Sequence, residues 1–143
     1  MLPSAAAALV GAVAVPGGVA AAVAAHPVVP CSAAAQRTVL TVSARLDPRC
    51  TYTGGFDIAA SNVTLDCRGA VLDGTGQPGV GVLLHAPADA DLSRIAIRNC
   101  VVRGFLNSIR ITRGGLRQLA AGHEYDHGIR GVVVERVRVS GST

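Results

Sequence analysis

Ser61-Asn-Val-Thr-Leu-Asp-Cys67 alternates apolar and polar residues and runs on toward a glycine. Ser93-Arg-Ile-Ala-Ile-Arg-Asn-Cys100 echoes it, and Gly131-Val-Val-Val-Glu-Arg-Val-Arg-Val-Ser-Gly141 echoes both. Period-two alternation with β-branched residues is the strand signal, because successive side chains of a strand point to opposite faces. It sets Val63 and Leu65, then Ile95 and Ile97, then Val132 and Val134 on the inward side. Val63 to Ile95 is 32 residues, and Ile95 to Val132 is 37. A strand pattern that returns every ~30 to 40 residues marks a stacked, repeating architecture.

A second strand follows the first in two of these repeats. Val80-Gly-Val-Leu-Leu84 matches Asn107-Ser-Ile-Arg-Ile111, and Val82 to Ile109 and Leu84 to Ile111 are both 27 residues apart. The unequal periods then arise in loops, His85 to Ser93 and Arg113 to Gly128, where a repeat stack tolerates length variation. Upstream, Thr38-Val-Leu-Thr-Val42 is a short strand candidate, and Asp47-Pro48 and Thr53-Gly54-Gly55 mark turns. The helical signal is confined to Leu116 to Ala121, closely bounded by Gly114-Gly115 and Gly122.

Val63-Thr-Leu-Asp-Cys-Arg-Gly-Ala-Val-Leu-Asp-Gly74 resembles the first full coil of right-handed parallel β-helix proteins of the pectate-lyase-like superfamily. Ile95-Ala-Ile-Arg-Asn-Cys-Val-Val-Arg-Gly-Phe105 is similar to their next coil, with Asn99 near the turn between two strands. The resemblance covers residues 50 to 143. It implies an all-β solenoid of about two to three coils, incomplete at its C-terminal end, in which inward Val, Leu and Ile form continuous ladders. The superfamily holds polysaccharide lyases, glycoside hydrolases, epimerases and non-catalytic surface proteins, so the fold does not fix the reaction.

The chain has 143 residues, enough for one domain. Residues 1 to 25 are nearly all Ala, Val, Gly and Leu without a charged side chain, and Ala22-Val23-Ala24-Ala25 fits a signal-peptidase site. We read them as a secretory leader, followed by an N-terminal segment or cap at 26–49 and the coils at 50–143. Cys31, Cys50, Cys67 and Cys100 all lie beyond the leader. An even count in an exported chain predicts two disulfides. Three pairings are possible. Cys31–Cys50 with Cys67–Cys100 is the one expected, because Cys67 and Cys100 sit near the same point of successive repeats. No CxxC is present, which argues against a structural zinc site.

The formal charge is +4, and all 13 basic residues are Arg, without a run. Aromatic residues are 3%, too few for base-stacking platforms, so nucleic acid is not an expected partner. Attraction to acidic polysaccharide is consistent with the charge. No membrane contact is expected once the leader is removed, and no cofactor or metal.

His123-Glu-Tyr-Asp-His127 matches H-E-x-x-H, in which two His one helical turn apart bind zinc and the Glu activates water. Gly122 and Gly128 bracket it and β pattern resumes at once, so a polar loop between coils is the favoured reading and a zinc hydrolase the remote one. His123, Glu124, Asp126 and His127, with Arg110, are the candidate substrate-binding residues; no residue is assigned as catalytic. Asp66 and Asp73 fit turn caps better than a hydrolytic carboxylate pair. Arg98, Arg103, Arg110 and Arg113 fit an outward, solvated face. Asn62-Val63-Thr64 is a glycosylation sequon.

The sequence thus predicts an exported parallel β-helix that binds or processes extracellular or cell-envelope polysaccharide, secreted or periplasmic. The alternative is a non-catalytic surface solenoid or a truncated reading frame. A stack that ends at Gly141-Ser-Thr143 would leave an open apolar end able to self-associate.

Overall fold

A computed structural model describes residues 25–75, 79–87, 90–114, 121 and 128–142. All of the expected leader at 1–25 except Ala25, and the motif at 123–127, lie outside them, as does nearly all of the short helical candidate. Among the described residues the architecture is all-β, with one short 3₁₀ turn at Cys31–Ala33.

Among the described residues thirteen short strands form three sheets. The first five are β1 (Val28–Val29), β2 (Thr38–Leu40), β3 (Ala44–Leu46), β4 (Thr51–Tyr52) and β5 (Phe56–Ile58). β6 (Thr64–Asp66), β7 (Val71–Asp73), β8 (Val80–Ala86) and β9 (Leu92–Arg98) follow. The last four are β10 (Val101–Arg103), β11 (Asn107–Arg113), β12 (Ile129–Glu135) and β13 (Arg138–Ser140). One sheet runs β1-β3-β6-β9-β12, a second β2-β5-β8-β11, and a third β4-β7-β10-β13. Every pairing is parallel. From β2 onward, each three consecutive strands place one strand in each sheet, always in the same order. The chain therefore makes four circuits through three stacked sheets.

Register agrees with the sequence periodicity. Leu65 pairs with Ile97, and Ile97 with Val134. Val82 pairs with Ile109, and Leu84 with Ile111. These columns interdigitate as the core: Leu65, Ile97, Ile58, Leu84, Leu72 and Val102 are all fully buried. Burying an aliphatic side chain contributes about 1.5 to 3 kcal/mol, so the ladders dominate stability. In the fourth circuit the same columns are open to solvent, with Ile111 51%, Val134 46% and Val139 52% exposed. Val134, placed on the inward side from its alternation, thus occupies the expected register without being buried.

Three differences from the sequence reading follow. The strand order gives four circuits where about two to three coils were expected, because β2–β4 add one at the start, and each circuit has three strands where two were legible. The missed set, β4, β7, β10 and β13, is two or three residues per strand, too short to show alternation. The stacked strands also begin at Thr38, ahead of Cys50, since β2 and β3 pair with β5 and β6.

Side chains anchor the first circuit. The buried Tyr52 hydroxyl donates to the Val29 carbonyl at 2.6 Å and accepts from the Asp47 amide at 3.0 Å. Disulfides join Cys31 to Cys50 and Cys67 to Cys100, with Cα atoms 5.5 and 4.9 Å apart. The second bridge ties one circuit to the next. Gly74 and Gly81 make room for Phe105: a Cβ on Gly74 would strike its ring, and one on Gly81 would lie 3.0 Å from it.

Candidate functional site

The second, third and fourth circuits turn from the five-stranded sheet into the β4 sheet through a left-handed residue. In the third and fourth circuits this turn has two residues, Asn99-Cys100 and Arg136-Val137, with Asn99 at φ 56° and Arg136 at φ 51°. In the second circuit it has four, Cys67-Arg68-Gly69-Ala70, with Arg68 at φ 53° and Gly69 at φ 89°. Asn tolerates this region better than most residues, and Gly adopts it without strain.

The turns stack, and their side chains join. The Asn99 amide nitrogen donates to Asp66 Oδ1 at 2.9 Å, and Asn99 Oδ1 accepts from Arg136 Nε at 2.8 Å. Asp66 Oδ1 also accepts from the Arg68 amide at 3.0 Å. Partial burial raises the Asp66 carboxyl, but the bonds from Asn99 and the Arg68 amide outweigh it and hold the group below its usual range.

The other acids of this surface are engaged as well. Asp73 accepts from Thr75 at 2.9 Å and pairs with Arg103 at 2.9 Å; Thr75's side chain and amide, then Arg103, lower its carboxyl to about 2. Asp47 pairs with Arg49 at 2.7 Å, and that contact lowers it to about 2. Asp57 accepts from Arg37 at 2.8 Å, and Glu135 lies 2.9 Å from Arg98 Nε. Asp66 and Asp73 thus serve as turn caps held in ionised form. A general acid needs a raised carboxyl, and Asp47, Asp66 and Asp73 are all lowered.

Three cations stand differently. The side chains of Arg110, Arg113 and Arg138 have no hydrogen-bond or ion-pair partner among the described residues, and Arg110 is exposed on β11 opposite Leu83. Arg110 is the one substrate-binding candidate that the structure places. His123, Glu124, Asp126 and His127 lie outside the described residues. Cys31, Asp47 and Cys50 bring possible metal-ligand atoms within 4.8 Å of one another. The two sulfurs are bonded to each other, so this trio offers no thiolate pair. Asn62 of the sequon is exposed, and its Oδ1 accepts from Arg94 Nε at 2.5 Å.

Beside the stacked turns lies a cleft of about 520 Å³ lined by Gly69, Asn99, Cys100, Val101, Arg136, Val137 and Arg138. The sequence reading did not single it out. It is built from three circuits, so only an alignment of the two-residue turns Asn99-Cys100 and Arg136-Val137 could have brought its residues together.

No protein-family model matches the chain, and neither a curated protein nor a solved structure does. Among the described residues no helix is long and apolar enough to cross a membrane.

Proposed function

We propose that the chain is an exported right-handed parallel β-helix, of the pectate-lyase-like kind, that binds acidic polysaccharide without catalysing its cleavage through the described residues. The cyclic strand order supports the solenoid. Right-handedness follows from the rule that parallel crossovers within a sheet are right-handed in about 98% of cases. Two disulfides are compatible with an extracellular or periplasmic location, and the apolar stretch at 1–25 agrees with export.

The observation that carries the functional reading is an asymmetry of charge. Asp47, Asp57, Asp66, Asp73 and Glu135 each have a cation or amide partner, whereas Arg110 and Arg138 have none among the described residues. Positive charge faces solvent uncompensated, and the carboxylates that hydrolysis would require are committed to turns and ion pairs. Such a surface attracts polyanions and offers no acid–base pair.

The test is retention of the purified, disulfide-intact chain on an immobilised polyuronate and on a neutral glucan of similar size. Retention on the polyuronate alone, released by salt and without new reducing or unsaturated ends, is expected. Equal retention on both polymers, none on either, or polymer cleavage would overturn the reading.

A further inference from the structure

We propose that Asn62 is the acceptor of one N-linked glycan, attached as the chain is exported. Such a glycan depends on export and not on the polysaccharide reading above.

The chain has three asparagines, and Asn62 alone opens an Asn-x-Ser/Thr triplet, with Val63 between it and Thr64. Asn99 is followed by Cys-Val and Asn107 by Ser-Ile. In the folded protein an acceptor must keep its amide nitrogen free and lie at the surface. Asn62 lies in the turn between β5 and β6, exposed and at φ 61°.

The main chain of the triplet is committed on both sides. The Asn62 amide donates to the Ser93 carbonyl at 3.0 Å, and the Asn62 carbonyl accepts from Ser43 Oγ at 3.4 Å. Ser43 Oγ accepts in turn from the Thr64 amide at 2.8 Å. Between them Val63 is fully buried, and its carbonyl accepts from the Ala96 amide at 3.0 Å. The triplet is thus pinned to the circuits before and after it.

Within the Asn62 side chain the two polar atoms differ. Oδ1 accepts from Arg94 Nε at 2.5 Å, which fixes the orientation of the amide, because a guanidinium only donates. Nδ2 has no partner among the described residues. Glycan transfer uses the nitrogen and spares the oxygen. Nδ2 bonds to C1 of an oligosaccharide carried on a lipid pyrophosphate, and the C1–O bond to the pyrophosphate breaks. The pyrophosphate leaves with the bonding pair, and Nδ2 gives up one of its two protons. The amide carbonyl is unchanged, so the Arg94 contact survives the modification. The column beyond Arg94 continues in Gly131, which repeats the left-handed backbone at φ 61° and places no side chain over Arg94. Ser43, on the other side of Asn62, is small. The corner therefore has room for a bulky, solvated substituent.

The experiment passes the full chain, behind a host leader, through a eukaryotic secretory pathway and weighs the lumenal or secreted product by mass spectrometry. The mass of one glycan is expected on the chain that carries both disulfides. Its place at Asn62 is read from the aspartate that amidase release leaves at that position. Asn62→Gln and Thr64→Ala should each lose the whole mass shift, and Thr64→Ser should keep it. The glycosylated chain should melt together with unmodified chain made in a host that lacks the transferase. A lumenal chain without the glycan, or a glycan that persists in Asn62→Gln, overturns the assignment. So does a glycosylated chain that lacks a disulfide or melts well below the unmodified one. Retention on polyuronate is measured on the unmodified chain, so the binding reading stands or falls separately.

Discussion

At the scale of single residues, the acids of this protein act as structural anchors. Asp73 caps a turn through Thr75 and pairs with Arg103 across to the next circuit, which lowers its carboxyl from 3.8 to about 2. A carboxyl lowered in the folded state stabilises it fully above the unfolded value, and that contribution is lost as pH falls through the folded value. Asp73 therefore contributes above about pH 4 and loses its contribution between pH 3.8 and about 2. Asp73→Asn should melt at a lower temperature at neutral pH and lose less further stability than the parent between pH 4 and 2. Thermal unfolding followed by circular dichroism across that range checks this. Parallel curves for the two proteins would refute it. Asp73-Gly74 is legible in the sequence as a turn, and the structure agrees. Its Arg103 partner is not legible, because that contact depends on which circuits are neighbours.

At the scale of elements, stability resides in contacts between circuits, since no strand among the described residues exceeds seven residues. The Cys67–Cys100 bridge spans 33 residues and closes one full circuit onto the next. A loop of that length corresponds to about 3 to 4 kcal/mol of unfolded-chain entropy. Replacing both cysteines by Ala should lower unfolding free energy by about that amount, read by urea denaturation under oxidising conditions. A change under about 1 kcal/mol would show that the ladders alone hold the circuits in register. The first and second strands of the later repeats were readable because β8, β9, β11 and β12 reach seven residues and show clear alternation. β3 and the whole β4 sheet fall to two or three residues. Their pairing is imposed by neighbours above and below, which leaves little mark in their own sequence.

At the scale of the whole molecule, the three parallel sheets stack circuit on circuit, and from β2 onward each strand pairs only with strands of the neighbouring circuits or with β1. Burial is complete in the second and third circuits and falls away in the fourth, where Ile111, Val133, Val134 and Val139 are 46 to 52% exposed. Native-state hydrogen exchange should follow this order. Amides of β6, β8 and β9 are expected to exchange slowest, and those of β11 to β13 fastest among the strands. Uniform protection would indicate that the fourth circuit is covered, as self-association through that end would do. The architecture was legible because a repeat multiplies a weak signal. The candidate site was not, because its residues come from three turns that look like ordinary loops one at a time.

The column Asp66–Asn99–Arg136 gives the stack a direction. An amide donates at one end and accepts at the other, so it joins an acceptor on one side to a donor on the other. A second amide-bearing circuit could be spliced in beside Asn99 without disturbing the chain of bonds. Exchanging the second and fourth circuits, by contrast, would leave each of their charged ends in a foreign setting. The circuits are alike in shape yet not interchangeable, and a recombined chain would have to keep acid, amide and base in their present order.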